Sequence, residues 1–212
     1  MHTLAALGSV ERLQQVVVVV SPDDAHVWPE APEWPGHFNR IACGGATRAT
    51  SVLGGLHALR AAGAGEADWV LVHDAARCLV TPALIDRLID ACLDDPVGGL
   101  LAQPLADTLK RGAADASAAP PASSGQAVSR IAATVPREDL WLAQTPQMFR
   151  LGPLLAALEA AEARGLAITD EASAMEAAGH APRLVPGSPH NIKVTWPEDF
   201  ALAEALLARS SP

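Results

Sequence analysis

Trp69-Val-Leu-Val-His-Asp-Ala-Ala-Arg77 is an apolar run that breaks off into a cluster of polar groups. Trp69 to Val72 is a short apolar run of the kind a buried parallel-sheet strand shows. His73, Asp74 and Arg77 follow at once, with the small Ala75 and Ala76 between them. In open α/β sheets, ligands bind beyond the carboxyl ends of the strands. An acid and a guanidinium delivered to that place suit a metal ion and a phosphorylated ligand. His73, taken by itself, reads as a structural histidine.

Upstream of this strand, His2 to Gln15 reads as a short helix. The β-branched run Gln15-Val-Val-Val-Val-Val-Ser21, closed by Pro22-Asp23-Asp24, predicts a buried strand and a turn. Val27 to Phe38 holds four prolines or glycines and two of the five tryptophans, and is expected to be irregular. Arg40 to Cys43 is a weak strand leading into Gly44-Gly45. Thr47 to Ala62 then places Val52, Leu53, Leu56 and Leu59 at helical spacing.

Downstream, Thr81-Pro82 supplies an N-cap and a first-turn proline for a helix over Ala83 to Leu93. Gly98 to Gln103 predicts another apolar strand. The low-complexity Ala118-Ala-Pro-Pro-Ala-Ser-Ser-Gly125 is flanked by Thr108 to Arg111 and Val128 to Val135. That pattern predicts a hairpin arm over 107–137 with a loose tip. An exposed arm calls for a partner, and dimerisation supplies one. Trp141 to Phe149 returns to the main domain, and Leu151 to Arg164 is an alanine-rich helix. A further helix starts at Thr169, short strands are expected at Arg183–Pro186 and Asn191–Thr195, and Pro197 opens the last helix. Alternation of strand and helix predicts an α/β fold, a mostly parallel sheet with helices on both faces.

The 212 residues suffice for one domain with an appendage, and half of them are hydrophobic. The net charge of −9 argues against non-specific nucleic-acid binding, which needs many cationic phosphate contacts. Local clusters of Arg and Lys still leave room for small anionic ligands. Cys43, Cys78 and Cys92 are odd in number and lack C-x-x-C spacing, so neither a disulfide framework nor a zinc site is indicated. With no apolar run of membrane-spanning length and no signal-peptide pattern, the expected location is the cytoplasm.

Singly, the remaining candidates are bland: a tight turn at Gly44-Gly45, a surface charge at Arg48, a capping hydroxyl at Ser51. Free N–H groups at that helix start can also hold an anion or a base edge. Lys193 in an apolar stretch is harder to dismiss, since it must snorkel or meet an anion. Together, Gly44-Gly-Ala-Thr-Arg-Ala-Thr-Ser51, Val72-His-Asp-Ala-Ala-Arg77, Asp107-Thr-Leu-Lys110, Thr145-Pro-Gln147, Thr169-Asp-Glu-Ala-Ser173 and Asn191-Ile-Lys-Val-Thr195 follow the order and spacing of one family. From about Leu13 to its end the chain closely resembles the 2-C-methyl-D-erythritol 4-phosphate cytidylyltransferases of the non-mevalonate isoprenoid pathway.

The resemblance implies a Rossmann-like nucleotidyltransferase domain over 1–212, with the 107–137 arm used for dimerisation. It implies transfer of a cytidylyl group from CTP to the polyol phosphate, with release of pyrophosphate and with Mg2+ as cofactor. Carried over residue by residue, Gly45, Ala46, Arg48 and Ser51 are the nucleotide-binding set. Asp74 lies near the ribose and holds the metal. Arg77, Thr108, Thr145 and Thr169 bind the substrate. Lys193 positions the attacking phosphate, and Arg137 reaches across from the other subunit of a homodimer. With Asp74, these last two form the catalytic set.

Ala46 departs from the family, which usually has an acidic residue there, and the arm tip is longer than usual. The family also begins with a strand, an Ala-Ala-Gly-x-Gly-x-Arg loop and a Pro-Lys-Gln segment that cradle the triphosphate. Neither loop nor segment occurs in this sequence. The expectation is an N-terminal truncation that leaves neighbouring strands unpaired and the chain as given poorly active. Two other readings stand beside this one: a ribitol 5-phosphate cytidylyltransferase, and a non-catalytic module that binds or dimerises. A nicotinamide-dependent dehydrogenase is disfavoured because no G-x-G-x-x-G follows any strand.

Overall fold

The computed structural model describes residues 2–24, 37–114 and 129–210. They fall into two units, one built from 1–102 and 143–212 and the other from 103–142. Most of the expected irregular stretch 27–38, and the arm tip around 118–125, lie outside the described residues.

In the larger unit, α1 (His2–Gly8) is shorter than expected, and Val10 turns inward just beyond it. β1 (Val16–Val19) pairs in parallel with β2 (Phe38–Ile41), Val16 opposite Phe38 and Val19 opposite Ile41. α2 (Arg48–Ala61) leads to β3 (Trp69–Val72), and α3 (Pro82–Cys92) to β4 (Gly98–Pro104). After the second unit come β7 (Trp141–Arg150), α4 (Leu151–Ala163), α5 (Glu171–Ala177), β8 (Arg183–Pro186) and α6 (Pro197–Ser210). A four-stranded sheet runs β3-β7-β4-β8, apart from the β1-β2 pair. β4 and β8 are parallel, with Leu100 opposite Leu184, whereas β3 and β7 are antiparallel, with Val70 opposite Phe149. The sheet is therefore mixed: an apolar run such as Trp69–Val72 marks a buried strand but carries nothing about the direction of its neighbour.

Side chains alternate across a strand, and consecutive residues here feed two cores. Leu100, Phe149 and Val70 pack with Leu53 and Leu56 of α2, Leu154 and Leu158 of α4 and Met175 of α5. Leu101, Met148 and Val185 pack on the other side with Leu84, Ile85, Leu88 and Ile89 of α3 and with Val10. Both faces are thus covered by helices, as expected. Phe149, Leu101, Leu88 and Leu154 are fully buried, each worth about 1.5–3 kcal/mol relative to exposure.

The caps follow from sequence. Thr81 accepts a hydrogen bond from Leu84 N and Pro82 opens α3, as predicted. Thr47 and Thr50 form a reciprocal capping box at α2, and Asp170 and Ser173 form one at α5. Before β4, the Asp95 carboxylate accepts from the amides of Val97 and Gly98, at 2.9 and 2.8 Å, and forms an ion pair with Arg183, whose Nε lies 2.6 Å from its other oxygen. Gly98 sits at φ +109°, where a side chain would also run into the Met148 carbonyl.

The smaller unit is an antiparallel hairpin of β5 (Leu109–Ala114) and β6 (Ser129–Val135), the expected arm. Leu109 pairs with Val135, and the register shifts at Arg111/Gly112, a bulge of the kind that bends a strand. Ile131 is 68% exposed and Leu109 38%. The hairpin thus presents apolar side chains to its surroundings.

Candidate active site

The chain turns sharply where β3 ends. Arg77 N donates to Asp74 O at 2.9 Å, so the short Ala75-Ala76 link folds the acid and the guanidinium toward one side. A ring of polar contacts from β7 fixes this turn. The Asp74 amide donates to Thr145 Oγ1 at 3.0 Å, and Thr145 Oγ1 lies 3.1 Å from His73 Nδ1. His73 Nε2 lies 3.1 Å from Arg77 O. A carbonyl only accepts, so Nε2 carries the proton, Nδ1 is the acceptor and the Thr145 hydroxyl donates to it. Burial pushes His73 down to about 4, so the ring is neutral near pH 7. This is the structural role expected for it.

Asp74 is the hub of the site. Arg48 Nε donates to Asp74 Oδ1 at 2.7 Å, and Lys193 Nζ lies 3.0 Å from Oδ2. The other two Arg48 nitrogens bind Glu171, Nη1 to Oε1 at 2.6 Å and Nη2 to Oε2 at 2.9 Å. Burial alone would push Asp74 up, but Arg48 and Lys193 outweigh it and hold the carboxyl below its ordinary value. Burial would likewise lower Arg48, and its two carboxylate partners reverse the sign and raise it. Glu171 is 1% exposed; burial raises its pKa, against the pull of Arg48.

Lys193 reaches Asp74 although Asn191–Thr195 is not a strand. Val194 N donates to Ala76 O at 2.9 Å, a single bond to the β3 turn instead of a ladder. The fully buried Asn191 donates its amide to Thr145 O at 2.9 Å. Arg77 ties the same pieces together, Nη1 to Asn191 O at 2.7 Å and Nη2 to Ala143 O at 3.1 Å, with Nε buried and unpartnered.

These groups line a cleft of about 220 Å³, with Arg48, Asp74, Arg77, Thr145, Thr169 and Lys193 on its wall beside Gln144, Gln147 and Asp170. Six sequence candidates therefore meet in one place. Gly45, Ala46 and Ser51 are not among the lining residues. They form the entry to α2, where Ser51 Oγ accepts from Gly45 N at 3.0 Å and donates to Thr47 O at 2.9 Å. A Cβ at Gly45 would overlap the Thr50 side chain, so this turn closes only over glycine. Thr108 and Arg137 are exposed residues of the smaller unit, just before β5 and just after β6.

Sequence reasoning missed Glu171. A carboxylate beside an N-cap Asp reads as a partner for the helix dipole, and only its burial shows otherwise. It missed Gln144, Gln147 and Asn191 too, because amides that satisfy backbone groups leave no periodic trace. For a cation, the donors suit Mg2+, which is held by one or two carboxylates together with substrate phosphates. Asp74 supplies such an oxygen. Among the described residues no group of three or more His, Cys, Asp or Glu converges to form a cage by itself.

Three comparisons with known proteins agree. The family model "IspD: 2-C-methyl-D-erythritol 4-phosphate cytidylyltransferase" matches residues 1–209. A protein of that name from Paraburkholderia phymatum is 52% identical over 211 residues, 99% of this chain and 84% of that protein. The "Bifunctional enzyme IspD/IspF" of Albidiferax ferrireducens is 56% identical over all 212 residues, but the chain spans only 46% of its length. Among solved structures, a 4-diphosphocytidyl-2C-methyl-D-erythritol synthase superposes with a TM-score of 0.81 at 41% identity, covering 97% of this chain and 88% of that one. The cytidylyltransferase from Thermus thermophilus gives 0.71 at 32%, covering 98% and 87%. The fold is the Rossmann-like nucleotidyltransferase fold of those structures, and the chain belongs to the 2-C-methyl-D-erythritol 4-phosphate cytidylyltransferase family.

Proposed function

We propose that this chain transfers a cytidylyl group from CTP to 2-C-methyl-D-erythritol 4-phosphate. A phosphate oxygen of the polyol attacks the α-phosphorus of CTP. The new P–O bond forms as the bond to the β-phosphate breaks, and pyrophosphate leaves with the electron pair. No side chain need become covalently attached, so the site's task is positioning and charge neutralisation. The observation that carries this reading is the convergence of Arg48, Arg77 and Lys193 around one carboxylate at the end of β3.

Lys193, half-exposed on a flexible stem, is suited to meet the incoming phosphate. Arg77, held on the Asn191 and Ala143 carbonyls, brings positive charge to the cleft wall, with Thr145 and Thr169 beside it for the polyol. The turn of Gly45, Ala46, Arg48 and Ser51 serves the nucleotide. Mg2+ held by Asp74 would neutralise triphosphate charge when bound. Thr108 and Arg137 on the arm complete the substrate set, with Arg137 supplied by the second subunit of a homodimer. Among the described residues no helix is long and apolar enough to cross a membrane, and we place the enzyme in the cytoplasm.

Pyrophosphate release with CTP and Mg2+ tests the assignment, with methylerythritol phosphate and ribitol 5-phosphate as rival acceptors. Release with the first and little with the second is expected. Preference for ribitol phosphate, or release with neither, would overturn it.

A further inference from the structure

The most deeply buried charge beside the cleft has no task in the transfer just described. Glu171 opens α5 at 1% exposure and is not on the cleft wall. Both its oxygens are spent on the two Nη atoms of Arg48. A guanidinium is a rigid planar fork, so fixing both Nη atoms also fixes where Nε points, and it points at Asp74 Oδ1 from 2.7 Å.

The cation on the other Asp74 oxygen is held quite differently. Lys193 has a four-carbon stem and a side chain 46% exposed, and touches Oδ2 at 3.0 Å. Arg48 is 32% exposed and braced from behind by a carboxylate that water scarcely reaches. Asp74 thus sits between one cation that is braced and one that is free to swing. A buried ion pair is weak evidence for stability, because desolvation offsets the attraction. Its geometry is the more telling property.

We propose that Glu171 is a positioning residue, holding Arg48 as a strut that fixes the Asp74 carboxylate while Lys193 leaves Oδ2 for the incoming phosphate. The inference rests on the assignment of Asp74 to the transfer site. It also revises the expected task of Arg48: with Nε, Nη1 and Nη2 all engaged, Arg48 serves the nucleotide through Asp74 more than by direct contact.

Glu171→Gln keeps the size of the side chain but cannot accept from both Nη atoms. Glu171→Asp keeps the charge and serves as the conservative control. Two readouts are taken on the full chain: the Arg48 Nε–H signal in ¹⁵N–¹H spectra, and kcat and KM for both substrates. In the wild type the signal is expected to exchange slowly and to shift in Asp74→Asn. In Glu171→Gln it should broaden or move, and Asp74→Asn should then change it no further. kcat should fall about tenfold or more, with KM for either substrate moving less. Glu171→Asp should recover much of both, and it carries the test if the Gln variant fails to fold.

An Arg48 signal unchanged in Glu171→Gln would overturn the strut. So would a kcat loss that multiplies undiminished with that of Asp74→Asn. A wild type that transfers no cytidylyl group would remove the proposed function and leave the Arg48 signal to decide the strut.

Discussion

At Asp74 the two oxygens meet cations of different standing, and that asymmetry orders what single substitutions should do. Lys193→Met removes a half-exposed charge that touches one oxygen. Stability should change by no more than about 1 kcal/mol, the range of exposed ion pairs. Turnover should fall by about 10²-fold or more, the scale of a lost charge-stabilising donor. Thermal melting beside steady-state kinetics checks both halves of the claim. Equal losses in stability and rate would assign the lysine to the fold. That such a residue lay in the 191–195 stretch was legible, because a lysine among apolar neighbours needs an anion. Glu171 was not legible, since nothing local separates a buried carboxylate from one that faces the helix dipole.

Elements were easier to read than their pairings. β3, the α3 cap and the two helix layers follow from apolar spacing and from Thr81-Pro82. The antiparallel β3-β7 pair and the non-strand course of Asn191–Thr195 do not. They are set by long-range contacts such as Val194 to Ala76 and Asn191 to Thr145. The turn into β4 gives a test at this scale. Burial would push Asp95 up, but the Gly98 and Val97 amides and Arg183 outweigh it and hold the carboxyl below its ordinary value. A depressed carboxyl contributes its stability above the unfolded value and loses it as pH falls through the folded one. Asp95→Asn should therefore cost about 1–3 kcal/mol near neutrality. The gap from wild type should shrink below about pH 4. Denaturant titrations of both proteins at pH 7 and pH 3.5 would show it. A gap that widened on acidification would contradict the assignment.

The whole molecule raises the question of the arm. Its exposed Ile131 and Leu109, and the position of Arg137 just after β6, underlie the proposal that a second subunit completes each site. Arg137→Met and Lys193→Met should each be inactive alone. Mixed and allowed to exchange subunits, they should recover about a quarter of wild-type activity, because half the dimers are mixed and each carries one intact site. No recovery, with exchange verified by mass, would place Arg137 in its own subunit's site.

Phosphorus NMR of the reaction follows both the bond that forms and the bond that breaks in the proposed transfer. With CTP, Mg2+ and 2-C-methyl-D-erythritol 4-phosphate, a diphosphate diester should appear in step with inorganic pyrophosphate as the acceptor monoester signal disappears. CTP converted to CMP or CDP with the acceptor signal intact, or no change at all, would contradict it.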